Sequence, residues 1–342
     1  MIAISDDNRG AMRQLVPVEQ LDIVEGEWSP AGPPALPLPL EELVERFLAS
    51  HDVRANSRGT YGRQLREFTK WAKAKGLRLT DMRRERVLGY RGYLEGQAGA
   101  AGEGLSSYSV AGYLTAVRRL FTWLEAERLY PNVARGVKGP KRPRGHKKDI
   151  LTEEQLRACL EAIAHDPGLE EPERARNYAL FNLMARTGLR DIEAARASYG
   201  DVRRLEGERV LYVQGKGRDE ADEFVLITPK SYTPLRAYLD MRPHVWEGSP
   251  LFVSHSRRNY GERLTSRSIS RIVKQTLRAA GLDDARLTAH SLRHTAISMA
   301  IRGGATLEQA QAMARHGSPA TTMIYFHNLD RVKHGAEKFI DF

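Results

Sequence analysis

A chain of 342 residues with 41% hydrophobic content is long enough for two domains with cores of their own. Lysine and arginine total 53 against 43 aspartate and glutamate, a net charge of +10 that favours a polyanionic partner, nucleic acid first. The single cysteine excludes an intrachain disulfide and a metal site built on paired cysteines. No apolar run is long enough to span a bilayer and the N-terminus lacks the basic-then-apolar order of a signal peptide, so no membrane partner and a cytoplasmic location are expected.

Residues 1–37 mix charges with Pro30, Pro33, Pro34 and Pro37, the composition of an extended arm. Helical periodicity begins at Leu40, with Leu43, Val44, Phe47 and Leu48 on one face. A second helix follows Ser57, with Tyr61, Leu65, Phe68 and Ala72 inward and Arg63, Arg66, Lys70 and Lys73 outward. A third covers Arg84 to Leu94, and a fourth runs from Ser107 to Glu127 on Val110, Leu114, Val117, Phe121 and Leu124. Four helices with little strand signal predict a small helical domain over residues 38–135. Residues 136–149 interleave Lys138, Lys141, Arg142, Arg144, Lys147 and Lys148 with glycine and proline, which reads as a basic linker suited to tracking phosphates.

A second domain, residues 150–327, opens with the capping-box sequence Thr152-Glu153-Glu154-Gln155. Helices are predicted at 153–165 and 173–187, the first carrying Cys159 as a small core residue. Arg209–Val213 and Glu223–Ile227 read as a hairpin or small sheet around Gly215 and Gly217. Thr233-Pro234 is read as the start of a further helix, and helices at 266–280, 289–302, 306–315 and 319–326 follow. The predicted fold is mainly α, with an α+β second domain holding a small antiparallel sheet. Residues 328–342 place Val332, Ala336, Phe339 and Ile340 at helical spacing, a tail helix that must dock.

Six polar residues of the second domain call for a joint explanation. Arg190 follows the Gly188 helix break, Lys216 sits between glycines at the hairpin tip, and His290 and Arg293 share a helix face. His316 precedes Gly317, and Tyr325 lies nine residues beyond it. Singly, each has an ordinary structural explanation: a core tyrosine, a helix-end arginine, a paired histidine. Jointly they suit cleavage of a phosphodiester by a protein hydroxyl. Guanidinium groups hold two non-bridging oxygens at once, and histidine donors complete the cradle. A phenol of ordinary pKa near ~10 needs cations or a base to attack at neutral pH. A lysine can protonate the departing oxygen. With that charge supplied by side chains, no metal is required.

The motifs Thr187-Gly188-Leu189-Arg190 with Glu193, Gly215-Lys216-Gly217, His290-Ser291-Leu292-Arg293-His294, and His316 with Tyr325 resemble the tyrosine recombinase (phage integrase) family in order and spacing. The resemblance covers roughly residues 38–330 and implies that 38–135 is a core-binding, DNA-binding domain. It implies that Arg190 and Arg293 clamp the scissile phosphate, with His290 and His316 contacting it. It implies that Lys216 protonates the leaving 5′ hydroxyl and that Tyr325 becomes a 3′-phosphotyrosine. Glu193 would brace the site, and His294 would be structural. The implied partners are duplex recombination sites, further copies of the chain as DNA-bound dimer and tetramer, and accessory DNA-bending proteins. Arg63, Arg66, Arg118 and Arg119 join the linker as expected DNA contacts.

Two departures stand out. Ala314-Arg315 replaces the family's usual Leu-Gly before His316, read as a tolerated change at a helix end, and the hairpin carries Asp219, Glu220, Asp222 and Glu223 where the family tends to be basic. The resemblance implies strand exchange through a Holliday junction without a cofactor, serving integration and excision of a mobile element, inversion, or resolution of replicon dimers; the long arm before residue 38 favours the first. A type IB topoisomerase-like activity and a non-catalytic DNA-binding regulator are the alternatives.

Overall fold

The computed structural model describes residues 38–50, 52–53, 55–97, 105–141, 150–215 and 220–325, together with 338 and 340. The chain divides into two compact units, Met1–Arg144 and Gly145–Phe342. The arm at residues 1–37, linker residues 142–149 and most of the tail lie outside the described residues.

The first unit is built from α1 (Leu40–Ala49), α2 (Ala55–Ala74), α3 (Arg84–Glu95) and α4 (Ser107–Ala126), with a 3₁₀ turn at Leu79–Asp81. Each helix turns its apolar stripe inward. The centre is aromatic: Phe68 meets Tyr90 and Phe121 edge to face at 5.0 and 6.3 Å, and Trp71 packs beside them. Such pairs combine large apolar area with a preferred ring geometry. Ser106 caps α4 by accepting the Ser109 backbone N–H, which explains why that helix starts where it does.

The second unit comprises α5 (Glu153–Ala164), α6 (Glu171–Thr187), α7 (Asp191–Arg196), β1 (Val202–Leu205), β2 (Glu208–Val213), β3 (Glu223–Leu226), α8 (Pro229–Asp240), α9 (Ser266–Ala279), α10 (Ala289–Arg302) and α11 (Leu307–Ala314); residues 319–325 are helical as well. The Thr152–Gln155 capping box forms, and Cys159 is buried. Helix α6 is buried along most of its length and packs against α5, α8 and α10. The three strands form one antiparallel sheet in the order β1-β2-β3.

One strand was not anticipated, and one predicted helix start needs correction. Strand β1 carries no apolar alternation, because three of its four residues are exposed. It exists through its pairing with β2 across a tight turn at Glu206 and Gly207, both at positive φ, as a two-residue hairpin requires. Helix α8 begins at Pro229 rather than at Thr233-Pro234. Pro229 takes the first-turn position that suits proline, and Pro234 is carried inside the helix.

Candidate active site

The site is assembled by three helix ends of the second unit. Helix α6 stops at Gly188, whose φ of 65° is left-handed and favours glycine. Arg190 then becomes the N-cap of α7, with Glu193 three residues on at the helix's third position. Glu193 has no exposed surface; its Oε2 accepts the Arg190 backbone N–H at 2.8 Å and its Oε1 accepts Arg190 Nη1 at 2.5 Å. The brace expected of Glu193 is thus a direct grip on both backbone and side chain of Arg190.

Helix α10 supplies the second arginine. Arg293 is 1% exposed; its Nη1 donates to Gly188 O at 2.7 Å and its Nη2 to Ala314 O. One turn earlier His290 is exposed, and the His290 and His294 rings meet edge to face at 4.3 Å. A cleft of about 130 Å³ opens here, walled by Arg190, Asp191, Ser270, Thr288, His290 and Arg293.

Tyr325 completes the group. Its ring is 5% exposed and packs with Ile297 and Ala314. Its hydroxyl is hydrogen-bonded to His294 Nδ1, and the His316 ring stacks at 6.3 Å. His316 is held in turn by Thr322, whose buried Oγ1 lies 2.9 Å from Nδ1. Helix α11 ends at Ala314, so His316 lies past the helix rather than on its last turn.

Electrostatics follow from burial. Desolvation pushes the Tyr325 phenol up to about 12, against the pull of Arg293 and Arg190. Desolvation also brings the Arg293 guanidinium down to about 9, helped by its neighbours Arg190 and Arg315. For Glu193 burial works toward protonation, but Arg315 and Arg190 outweigh it and hold the carboxyl below its ordinary value. The pocket therefore concentrates positive charge around a buried phenol, and that charge favours the phenol's ionised form.

Residues 149–331 match the phage integrase family, and residues 40–128 match the phage integrase N-terminal SAM-like domain. The chain belongs to the phage integrase family. The tyrosine recombinase XerD of Rhizobium meliloti is 27% identical over 86% of this chain and 92% of its own length. XerC of Corynebacterium glutamicum is 32% identical over 67% of this chain and 70% of its own. A XerH site-specific recombinase bound to a palindromic difH substrate, in a post-cleavage complex, superposes with a TM-score of 0.65 at 22% identity, covering 86% of this chain and 83% of that one. A lambda integrase tetramer bound to a Holliday junction gives 0.61 at 18%, covering 84% and 77%. The fold is that of the two-domain tyrosine recombinases, and this phage integrase family member is a DNA strand transferase.

Within this family member, the structure brings together five of the six residues singled out: Arg190, His290, Arg293, His316 and Tyr325. Lys216 lies outside the described residues, as do Arg142, Arg144, Lys147 and Lys148. Two residues gain a part that sequence reasoning missed. His294, read as structural, touches the Tyr325 hydroxyl; its place one turn above His290 was the available signal. Arg315, read as a tolerated helix-end change, is buried against Glu193. Among the expected DNA contacts, Arg63, Arg66, Arg119, Lys138 and Lys141 are exposed. Arg118 is half-buried, its guanidinium donating to Val137 O at 3.1 Å and Thr115 Oγ1 at 3.0 Å, because that carbonyl needs a donor within its own domain. No three His, Cys, Asp or Glu side chains converge as a metal-binding group among the described residues.

Proposed function

We propose that this recombinase cuts and rejoins duplex DNA through Tyr325. The observation that carries the reading is the convergence of a buried tyrosine hydroxyl with two arginines and three histidines on helix ends far apart in sequence. The Tyr325 oxygen attacks the scissile phosphorus, a new P–O bond to the phenol forms, and the bond to the 5′ oxygen breaks. The phenolic proton leaves toward His294, and Lys216 gives a proton to the departing 5′ oxygen. Arg190 and Arg293 hold the non-bridging oxygens as charge builds on them, with His290 and His316 completing the cradle.

The 3′-phosphotyrosyl bond conserves the energy of the broken linkage, so a 5′ hydroxyl from a partner duplex can reseal the strand without a cofactor. Four protomers acting on two duplexes through a Holliday junction are the assembly this exchange requires, and the structural likeness to a lambda integrase tetramer on such a junction supports it. The arm of residues 1–37, beyond the two matched regions, favours integration and excision of a mobile element. The tail, residues 328–342, links protomers; deleting 330–342 leaves single-site binding intact and impairs synapsis.

The deciding experiment uses a nicked suicide duplex and a denaturing gel. Tyr325→Phe binds DNA but forms no covalent adduct; an adduct that survives this change overturns the assignment. Lys216→Ala cleaves an ordinary substrate about 10²–10⁴-fold slower and is rescued by a 5′-thio leaving group, which needs no proton. Equal defects on both substrates leave Lys216 a binding residue only. Exchange between two duplexes, rather than relaxation of one, separates recombination from topoisomerase action.

A further inference from the structure

The turn after α11 places a charged residue where the backbone favours glycine. Arg315 has φ 51° and ψ 48°, a left-handed conformation strained for any residue with a Cβ. A helix-end arginine has water available on the surface, yet this side chain is 2% exposed. Its Nη2 donates to Glu193 Oε2 at 2.6 Å, with Gly188 O at 3.4 Å, and its Nη1 donates to Met313 O at 2.6 Å.

Glu193 therefore serves two guanidinium groups. One oxygen receives Arg190 Nη1, and the other receives both the Arg190 backbone N–H and Arg315. The same turn reaches both arginines through its backbone: Arg190 Nη2 lies 3.5 Å from Arg315 O, and Arg293 donates to Ala314 O. A strained backbone and a buried charge are each unfavourable alone, and both persist here at one residue.

We propose that Arg315 is a positioning residue for DNA cleavage: it pins one oxygen of Glu193, and Glu193 so held fixes the Arg190 guanidinium for the charged oxygens of the scissile phosphate. The proposal rests on the cleavage reaction above. Without Arg315, Glu193 is a buried carboxylate with one cationic partner, and it draws Arg190 out of register with the phosphate.

The test is single-turnover cleavage by the full-length protein on two suicide duplexes. One carries the normal phosphate and the other a neutral methylphosphonate at the scissile position, with Arg190→Ala as reference. Arg315→Gly relaxes the positive φ while removing the side chain, so it is the variant least prone to misfold. It is expected to cleave the normal substrate about ten- to a hundredfold slower with DNA affinity unchanged, and to lose most of that defect on the methylphosphonate, as Arg190→Ala does. Arg315→Lys recovers part of the rate. In a Glu193→Gln background Arg315→Gly adds no further loss, because both changes break one chain of contacts. Equal losses on both substrates, an unchanged rate, or additive losses with Glu193→Gln overturn the proposal. Tyr325→Phe in the same assay keeps the two readings apart: a surviving adduct condemns the cleavage scheme, whatever Arg315 does.

Discussion

The two units bury different things. Among the described residues of the first, no charged side chain is buried; its core is Phe47, Phe68, Trp71, Tyr90, Phe121 and Trp123. The second buries Arg176, Glu193, Arg293, His294 and Arg315 beside an equally apolar core. Removing charge from water costs several kcal/mol per ion even after relaxation, on the order of the whole stability of a domain. In the second unit that cost is offset by pairing: Glu193 receives Arg190 and Arg315, and Arg176 and Arg293 donate to backbone carbonyls. The first unit's core is thus an uncharged scaffold, and the second unit's is a scaffold interrupted by a cluster of buried, paired charges.

The largest effect that would test this contrast is on stability. Phe68→Ala should cost the first unit about 3–5 kcal/mol, since it empties the middle of an aromatic cluster. Denaturant unfolding of the full chain checks this, and a shift no larger than that of a surface change would mean the cluster is not the core it looks to be. Arg293→Met should reverse the balance: cleavage falls about 10²–10³-fold while stability changes less than for Phe68→Ala. A variant that unfolds but, when folded, cleaves normally would make Arg293 a structural residue.

A smaller effect is expected with pH. Burial and the neighbouring Arg190 and Arg315 guanidinium groups pull the Arg293 pKa down to about 9, so the second-order cleavage rate, which reports the free enzyme, should fall on the alkaline side as pH rises. At saturating DNA the phosphate favours the charged guanidinium, and the falling limb should move upward. A limb in the same place under both conditions would assign it to another group. The smallest effect concerns Glu193. Its folded-state pKa lies below the ordinary 4.5, so its contribution to stability is present above that value and is lost as pH falls through the lowered one. Glu193→Gln should therefore melt below the parent at neutral pH, with the gap narrowing in acid. A constant gap would mean that the carboxylate's charge contributes nothing.

The fold was legible wherever a signal acts over one or two helical turns. The stripe Leu40–Leu48, the capping box at Thr152 and the break at Gly188 each place an element from neighbours in the chain. Strand β1 was illegible because its residues do not alternate; its partner defines it. The start of α8 was missed because two prolines five residues apart both suit a first turn, and only packing selects between them.

The sequence by itself named the candidates: side chains suited to holding a phosphate, a hydroxyl suited to attacking it, and the helix ends that would carry them. Tertiary structure alone decided which of them meet. His294 reaches Tyr325 across 31 residues, and Arg315 reaches Glu193 across 122. Those pairings are made by the packing of α6, α7, α10 and α11, and local periodicity holds no information at such separations. Burial was decided in the same way. Whether an arginine ends in water or beneath a helix depends on what folds over it, and that is why Arg315 read as a tolerated helix-end change and proved to be buried against Glu193.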